Sequence, residues 1–554
     1  MKILKKDNVS FPVFFAIGMI FTTGYFYIVS MMRILSPVTI WIFYLLPVLL
    51  LFFLVKFCKD LFFSKFIGFF KRPVNEYLFF LFPMLYASLP SSFYDTLVFH
   101  LGIPNFYIQN SGFIKASQFL YSNTSIYYEI SLIPSVFAGD MVPRLFHFLI
   151  GITIIYMIID FSVEFFNLKN RKLLLLVVLS LPVTALLITS VKNDLISAFF
   201  ILLGIRFILK GRNVLSAIFW GFSIGVKYTN IIPMILFFVM LLIRRKGLKP
   251  KVIFLIGIVL LLLIMPILIK NYTLTENPVY PFLNSIFKSE AWDVSRHEIM
   301  KADSGGIFHS IKDVLEYPYD LSFKDIGGIA GPIFLIFLPF LIVQKRRRIF
   351  LLLFALLLLF AGPYFKMSVR CWYISFLLLS IYIVLIYEEG IPKILRIVLF
   401  FIIGLNFFTS FALLERYYVS NYLFSGKMDI EQYKESVFPT YPAISFANKN
   451  IPDGQRILLV GESRSYYLKR PYMVASPYDY SILHKFIVIS DNGEEFRENL
   501  KSDGYSFMIF NKKEFDRLQK DYKRLGDSEI EKFNRFIESL IPIYSKNDLF
   551  VFRI

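Results

Sequence analysis

The sequence predicts a polytopic α-helical membrane protein, with about thirteen spanning segments and a small α/β domain at its C-terminal end. Three observations predict it. Hydrophobic residues make up 56% of the 554 residues and charged residues only 18%, whereas soluble domains run nearer a quarter charged. The apolar residues come in long unbroken runs. The charges gather between those runs and in the tail beyond residue 413. A disordered chain shows the opposite bias. With 27 Gly, 26 Pro and 2 Cys, neither a collagen-like nor a disulfide-built chain fits.

The net charge of +19 resembles a nucleic-acid footprint, but its distribution argues otherwise. Excess Lys and Arg in a membrane protein collects in short cytoplasmic loops. Nucleic acid is therefore not an expected partner.

A spanning helix needs about 20 mostly apolar residues. Runs of this kind lie near 11–32, 37–57, 74–90, 141–166, 173–189, 195–209, 214–226, 229–243, 252–269, 328–343, 349–362, 371–387 and 394–413. Several are short, notably 195–209 and 214–226, as tilted or broken helices are. The first run is longer than a signal-peptide core and lacks a small-residue cleavage site, so it reads as a retained helix.

Basic clusters set the orientation. Lys2, Lys5 and Lys6 precede the first run. Lys56, Lys59, Lys65, Lys71 and Arg72 follow the second. Lys169, Arg171 and Lys172 come next, then Lys210 and Arg212, and then Arg244, Arg245, Lys246, Lys249 and Lys251. Lys345, Arg346, Arg347 and Arg348 form the densest group, and Lys393 and Arg396 close the series. They fall on every second loop, as the positive-inside rule requires. The expected arrangement is a multi-pass protein of the plasma (inner) membrane with its N-terminus cytoplasmic. The loops near 91–140, 190–194, 227–228, 270–327 and 363–370 then face outward, with the C-terminal tail. Cys58 and Cys371 fall on opposite sides and do not pair.

The chain divides into a membrane domain, 1–413, with large outer loops at 91–140 and 270–327, and an exoplasmic α/β domain, 414–554. In the tail, strands are expected at Arg456–Val460, Phe486–Ile489, Tyr505–Phe510 and Leu549–Arg553, with helices at Glu514–Leu525 and Glu529–Leu540. The single glycine after the first strand (Gly461) is not a dinucleotide fingerprint.

Acidic residues at membrane boundaries are costly, so each is a functional candidate. Asp95 opens an outer loop; it suits a general base, a ligand of a divalent metal, or a helix-end cap. Asp194 sits in the short turn Ser190–Leu195, beside Lys192, where a helix cap is the plainer alternative. Lys227, Lys270, Lys366 and Arg370 occupy outer helix ends, against the sidedness rule. They either snorkel or line a cationic pocket for a lipid phosphate. His100 follows Asp95 by five residues, more than one turn along an α-helix, and reads as loop packing or a second-layer ligand. Glu129 opens an amphipathic stretch running to Ala138 and faces substrate or water.

Four local sequences resemble polytopic glycosyltransferases of the GT-C fold, a family that includes protein O-mannosyltransferases and lipid A aminoarabinose transferases. Ser92–Pro104 (SFYDTLVFHLGIP) is similar to their first outer loop, which holds the acidic catalytic residue. Ser190–Leu195 resembles their second acidic turn, and Gly221–Thr229 (GFSIGVKYT) a glycine-containing helix pair. Asn271–Phe282 (NYTLTENPVYPF) resembles a family segment in which Trp and Gly stand at the places of Tyr272 and Glu276. The resemblance covers roughly residues 75–410.

The resemblance implies transfer of a sugar from a polyprenyl-phosphate-linked donor to a glycan, lipid or protein acceptor at the outer face, with inversion at the anomeric carbon. Asp95 would be the base, or part of a divalent metal site, with Asp194 assisting. Arg370, with Lys270 or Lys227, would neutralise the leaving phosphate, and His100, Lys192, Asn277 and Tyr280 would complete the binding set. A transporter or flippase of lipid-linked saccharides, or a polysaccharide polymerase or ligase, is the alternative. Transporters place their charges near the bilayer midplane, whereas these lie at outer helix ends.

Overall fold

The structure, a computed structural model, describes residues 11–45, 67–68, 71, 73–116, 118–243, 249–289, 292–303, 311–324, 329–343, 349–364, 368–418, 426, 428–480 and 482–554. The second predicted span beyond residue 45 lies outside the described residues. So do Lys2, Lys5, Lys6, Lys56, Cys58, Lys59, Lys65, Arg72, Arg244, Arg245, Lys246, Lys345, Arg346, Arg347, Arg348 and Lys366.

The molecule is a polytopic helical bundle topped by a small sheet domain. The predicted spans fall on helix wherever they are described. Among the described residues, five helices are long and apolar enough to cross a bilayer: Phe11–Met31, Met141–Phe166, Pro250–Thr275, Arg370–Gly390 and Lys393–Tyr417. The bent pair Arg171–Ser180 and Pro182–Thr189 makes a sixth if its two helices count as one span. The remaining predicted segments form shorter helices, such as Asn193–Leu209 and Asn213–Val226. Burial separates centre from rim. Arg370–Gly390 is 83% buried and Met141–Phe166 72%, whereas Pro250–Thr275 is 11% buried and turns its apolar surface outward to lipid.

Local sequence explains the breaks. Arg171–Ser180 and Pro182–Thr189 meet at 77°. Pro182 lacks an N–H and holds Leu181 in an extended conformation. The Val183 N–H, freed by the bend, donates to the Ile329 carbonyl at 2.8 Å. The bend delivers the turn that carries Lys192 and Asp194. Close approach elsewhere requires glycine. A Cβ on Gly225 would lie 2.1 Å from the Tyr127 ring, where Asn213–Val226 packs on the outer helix Tyr127–Ala138.

The tail forms a five-stranded sheet: β1 Arg456–Val460, β2 Tyr472–Met473, β3 Tyr505–Asn511, β4 Pro542–Lys546 and β5 Leu549–Arg553, in the order β2-β1-β3-β5-β4. β1 runs parallel to β2 and β3; β5 is antiparallel to β3 and β4. Lys512–Tyr522 and Asp527–Glu538 are helical, close to expectation. The strand expected at Phe486–Ile489 is instead part of a helical turn, His484–Ile487, with Phe486 N and Ile487 N both donating to the Leu483 carbonyl. A four-residue apolar run fits either conformation. The β4–β5 hairpin turns through Asn547 and Asp548, both in the left-handed region, as a two-residue hairpin loop needs.

The sheet domain is tied to the loop 91–140 by a row of polar contacts. Asn105 donates to the Leu468 carbonyl (2.9 Å) and Asn110 to the Tyr472 carbonyl (3.2 Å). Ser476 N donates to the Gln118 carbonyl (3.1 Å), and Leu120 N to Asp479 Oδ2 (2.9 Å). Arg296, from the second outer loop, donates to the Tyr522 and Lys523 carbonyls and stacks on Tyr480. Burial pushes the Asp479 carboxyl up to about 7, against the Ser476 hydroxyl, the Leu120 N–H and the nearby Arg524.

Two outcomes follow from these contacts. Gly225→Ala overpacks the Tyr127 contact and lowers stability by about 1–3 kcal/mol. Gly257→Ala, where nothing lies within 4 Å of the added Cβ, does not; thermal unfolding in nanodiscs compares the two. Folded Asp479 keeps a proton that an unfolded chain releases near about 3.9. Its contribution to stability is complete below that value and is lost as pH rises through about 7. Protease resistance of the sheet domain therefore falls between about pH 4 and 7 and levels off above that, and Asp479→Asn flattens that dependence.

Candidate functional site

The first outer loop begins with an irregularity that shapes the site. After the helix Val74–Ser88, the chain winds Thr96–His100 as one π-helical turn, with Leu101 N donating to the Thr96 carbonyl at 2.9 Å. An i→i+5 turn brings residues five apart onto about the same side. His100 therefore returns to the side of Asp95, where an α-helix would carry it away. Gly102 permits the turn, since a Cβ there would lie 2.5 Å from the Leu97 carbonyl oxygen. Thr96 anchors it by donating to the Val191 carbonyl (3.0 Å).

Four chain segments meet around Asp95. Its Oδ2 accepts from Lys192 Nζ (2.9 Å) and Arg370 Nη2 (2.7 Å). Arg370 also reaches Asp194, its Nε lying 3.3 Å from Oδ2. Asp194 Oδ1 accepts from Lys227 Nζ (2.6 Å), which also lies 3.1 Å from Cys371 Sγ. The group therefore holds two carboxylates and three cations, and Arg370 bridges the two carboxylates. Burial alone would raise the Asp95 carboxyl, but Lys192 and Arg370 together outweigh it and hold Asp95 well below the usual carboxylate range. Asp194 begins the helix Asn193–Leu209, where the helix dipole also favours a negative charge.

These residues open onto a cavity of about 420 Å³ lined also by His100, Glu129, Tyr228 and Phe282. Among the predicted site residues, Asp95, His100, Asp194, Lys227 and Arg370 share this cavity. Lys192 is buried and acts through Asp95. Lys270 is fully buried and donates to the Ser122 carbonyl at 2.6 Å. Asn277 spends its amide on its own turn, donating to the Phe282 carbonyl and accepting from Val279 N. Tyr280 packs with Leu120 and Trp292. The Asn271–Phe282 segment thus reaches the cavity through Pro281 and Phe282. Glu276 takes a left-handed conformation (φ +62°) at the end of the helix Pro250–Thr275, a position that favours glycine.

Sequence reading missed two members. Glu129 is buried at the cavity wall, with its Oε1 2.7 Å from His100 Nδ1. Cys371 stands beside Lys227. A signal for Glu129 existed in its place at the start of an amphipathic stretch, but its partner could not be inferred from α-helical spacing.

The residues do not fit a divalent cation. Three of the four oxygens on Asp95 and Asp194 already face Lys or Arg nitrogens, and the cluster has an excess of positive charge. Hard cations need several free oxygen ligands. Among the described residues, no group of three or more His, Cys, Asp or Glu side chains is placed to hold a metal. The free valence of this cluster suits an anion.

Removing one partner of a buried pair leaves an uncompensated charge. Asp194→Asn is expected to cost about 3–5 kcal/mol of stability. The double variant Asp194→Asn with Lys227→Met is expected to recover part of that loss. Thermal unfolding of the purified proteins in nanodiscs measures both.

No protein-family model matches the sequence, and no curated protein matches it. Solved structures do. ArnT from Cupriavidus metallidurans in the apo state superposes with a TM-score of 0.53 at 13% identity, over 86% of this chain and 97% of that one. The same protein bound to undecaprenyl phosphate gives a TM-score of 0.52 at 14% identity, with the same coverage. The likeness spans the helical bundle and the sheet domain together, and the chain has the GT-C-like fold that its outer-loop sequences implied.

Proposed function

We propose that this protein is a membrane glycosyltransferase that moves a sugar from a polyprenyl-phosphate-linked donor to an acceptor at the outer face of the plasma membrane. The observation that carries the reading is the excess positive charge of the Asp95–Asp194 cluster at the wall of a cavity. A lipid phosphate supplies the missing negative charge. The fold supports the same reading, because a structure that shares it is bound to undecaprenyl phosphate. Alternating basic loops support a cytoplasmic N-terminus and an exoplasmic sheet domain.

In the reaction, the acceptor oxygen bonds to the anomeric carbon as the bond from that carbon to the phosphate oxygen breaks. The electron pair stays with the polyprenyl phosphate, and displacement from the opposite face inverts the centre. Negative charge grows on the departing phosphate, where Arg370 and Lys227 stand. Arg370 can meet it through planar, fork-like hydrogen bonds, and Asp95 and Asp194 hold that fork in place. Lys192 neutralises Asp95 from beneath. Asp95 lines the cavity beside them, and this scheme needs no metal.

A transporter reading is less well supported, because these charges close on one another at outer helix ends. The test is transfer of radiolabelled sugar from undecaprenyl-phosphate-linked donors by purified protein in nanodiscs, with native membrane extract as acceptor. Wild type is expected to transfer label. Arg370→Ala and Asp95→Asn, both folded, are expected to lose about 10²–10³ in kcat. Movement of lipid-linked sugar across proteoliposomes with no transfer would overturn the reading.

A further inference from the structure

The transfer described above releases a proton from the acceptor hydroxyl, and the charge cluster is poorly suited to take it. Asp95 Oδ2 already faces Lys192 and Arg370. Two cations at one carboxylate stabilise its charged form and weaken it as a base.

A second ionisable pair lines the same cavity. His100 and Glu129 are both buried, their side chains 8% and 3% exposed, and His100 Nδ1 lies 2.7 Å from Glu129 Oε1. Glu129 Oε2 is buried without a hydrogen-bond partner. The Lys270 side chain, held on the Ser122 carbonyl, lies within electrostatic reach of Glu129. A carboxylate on Nδ1 fixes the imidazole tautomer and leaves Nε2 as an acceptor. His147 makes the contrast. Its two ring nitrogens are taken by the Tyr128 hydroxyl and the Leu187 carbonyl. For His100, no partner other than Glu129 lies within hydrogen-bonding distance among the described residues.

We infer that the His100–Glu129 pair is the proton acceptor of the transfer reaction, with His100 Nε2 taking the hydroxyl proton of the acceptor and Glu129 orienting the ring. This rests on the glycosyltransferase reading of the same cavity. As the oxygen–carbon bond forms and the carbon–phosphate-oxygen bond breaks, the proton passes to Nε2. The imidazolium is stabilised by the Glu129 carboxylate and later returns its proton to water. The cavity then has two ends: a cationic end at Arg370 and Lys227 for the leaving phosphate, and a basic end at His100 for the nucleophile.

The ionisable groups facing His100 are Glu129 and Tyr128 from the helix Tyr127–Ala138, Asp95 from its own turn, and His147 from the helix Met141–Phe166. Of these, only Glu129 is in direct contact through a ring nitrogen.

The experiment measures kcat, KM and pH profiles for transfer from undecaprenyl-phosphate-linked sugars in nanodiscs, with undecaprenyl phosphate binding measured separately. His100→Asn is expected to lower kcat by about 10²–10⁴, to leave KM for the donor within about twofold, and to abolish the acid limb of kcat/KM. Undecaprenyl phosphate binding stays as in wild type. Glu129→Gln moves the acid limb to lower pH, because the ring loses its anionic partner. Added imidazole restores part of the activity of His100→Ala. If wild type transfers sugar and His100→Asn keeps its kcat, or loses only donor binding, the inference is overturned and the glycosyltransferase reading stands. If wild type transfers nothing, both fall.

Discussion

The constraint on which the outer half of this molecule depends is the neutralisation of buried charge. Asp95, Lys192, Asp194, Lys227 and Arg370 come from segments separated by up to 275 residues, and none of them is tolerable alone near the membrane boundary. Their mutual pairing fixes the relative positions of four structural pieces: the π-helical turn, the turn between the bent helix pair and Asn193–Leu209, the end of Asn213–Val226, and the entry to the central helix Arg370–Gly390. Arg370 carries the most weight, because it bridges both carboxylates. The desolvation cost of such a group is large and its net stabilisation small. Its retention makes physical sense where the excess charge has an anion to receive.

Much of this was legible in the sequence, and the reason is sidedness. Lysines and arginines at outer helix ends violate the positive-inside pattern, so Lys227, Lys270 and Arg370 stood out without any structural knowledge. Asp95 and Asp194 stood out because acids at membrane boundaries are rare. Their pairing was not legible, since nothing in local spacing says which cation meets which acid across 100 or more residues. His100 with Glu129 was hidden for a different reason. The expectation used 3.6 residues per turn, and the chain there winds more widely. Asn277 and Tyr280 carried a family likeness, yet the structure shows the amide closing its own turn and the ring filling a satellite core.

The fold was legible at the level of architecture and less so at the level of counts. Apolar runs mark helices well, but a run of 14–17 residues enclosed by other helices looks the same in sequence as one that crosses the bilayer alone. In the sheet domain the buried strands β1 and β3 were plain from their continuous apolar character. β4 was not: its residues are mostly exposed, and its best signal was the Asn547-Asp548 turn that follows it.

The π-helical turn at Thr96–His100 carries one more consequence, concerning chain length. The alignment of His100 with Asp95 is set by the number of residues between them, through an i→i+5 closure that the Thr96 hydroxyl pins to the Val191 carbonyl. Substitution within the turn can leave that alignment intact. Loss of a single residue cannot, because the wide turn would relax to an ordinary α-helical one and rotate His100 off the cavity. The loop is therefore held to a fixed length as well as to its buried contacts, and a ruler of this kind leaves little trace in the identity of the residues that make it up.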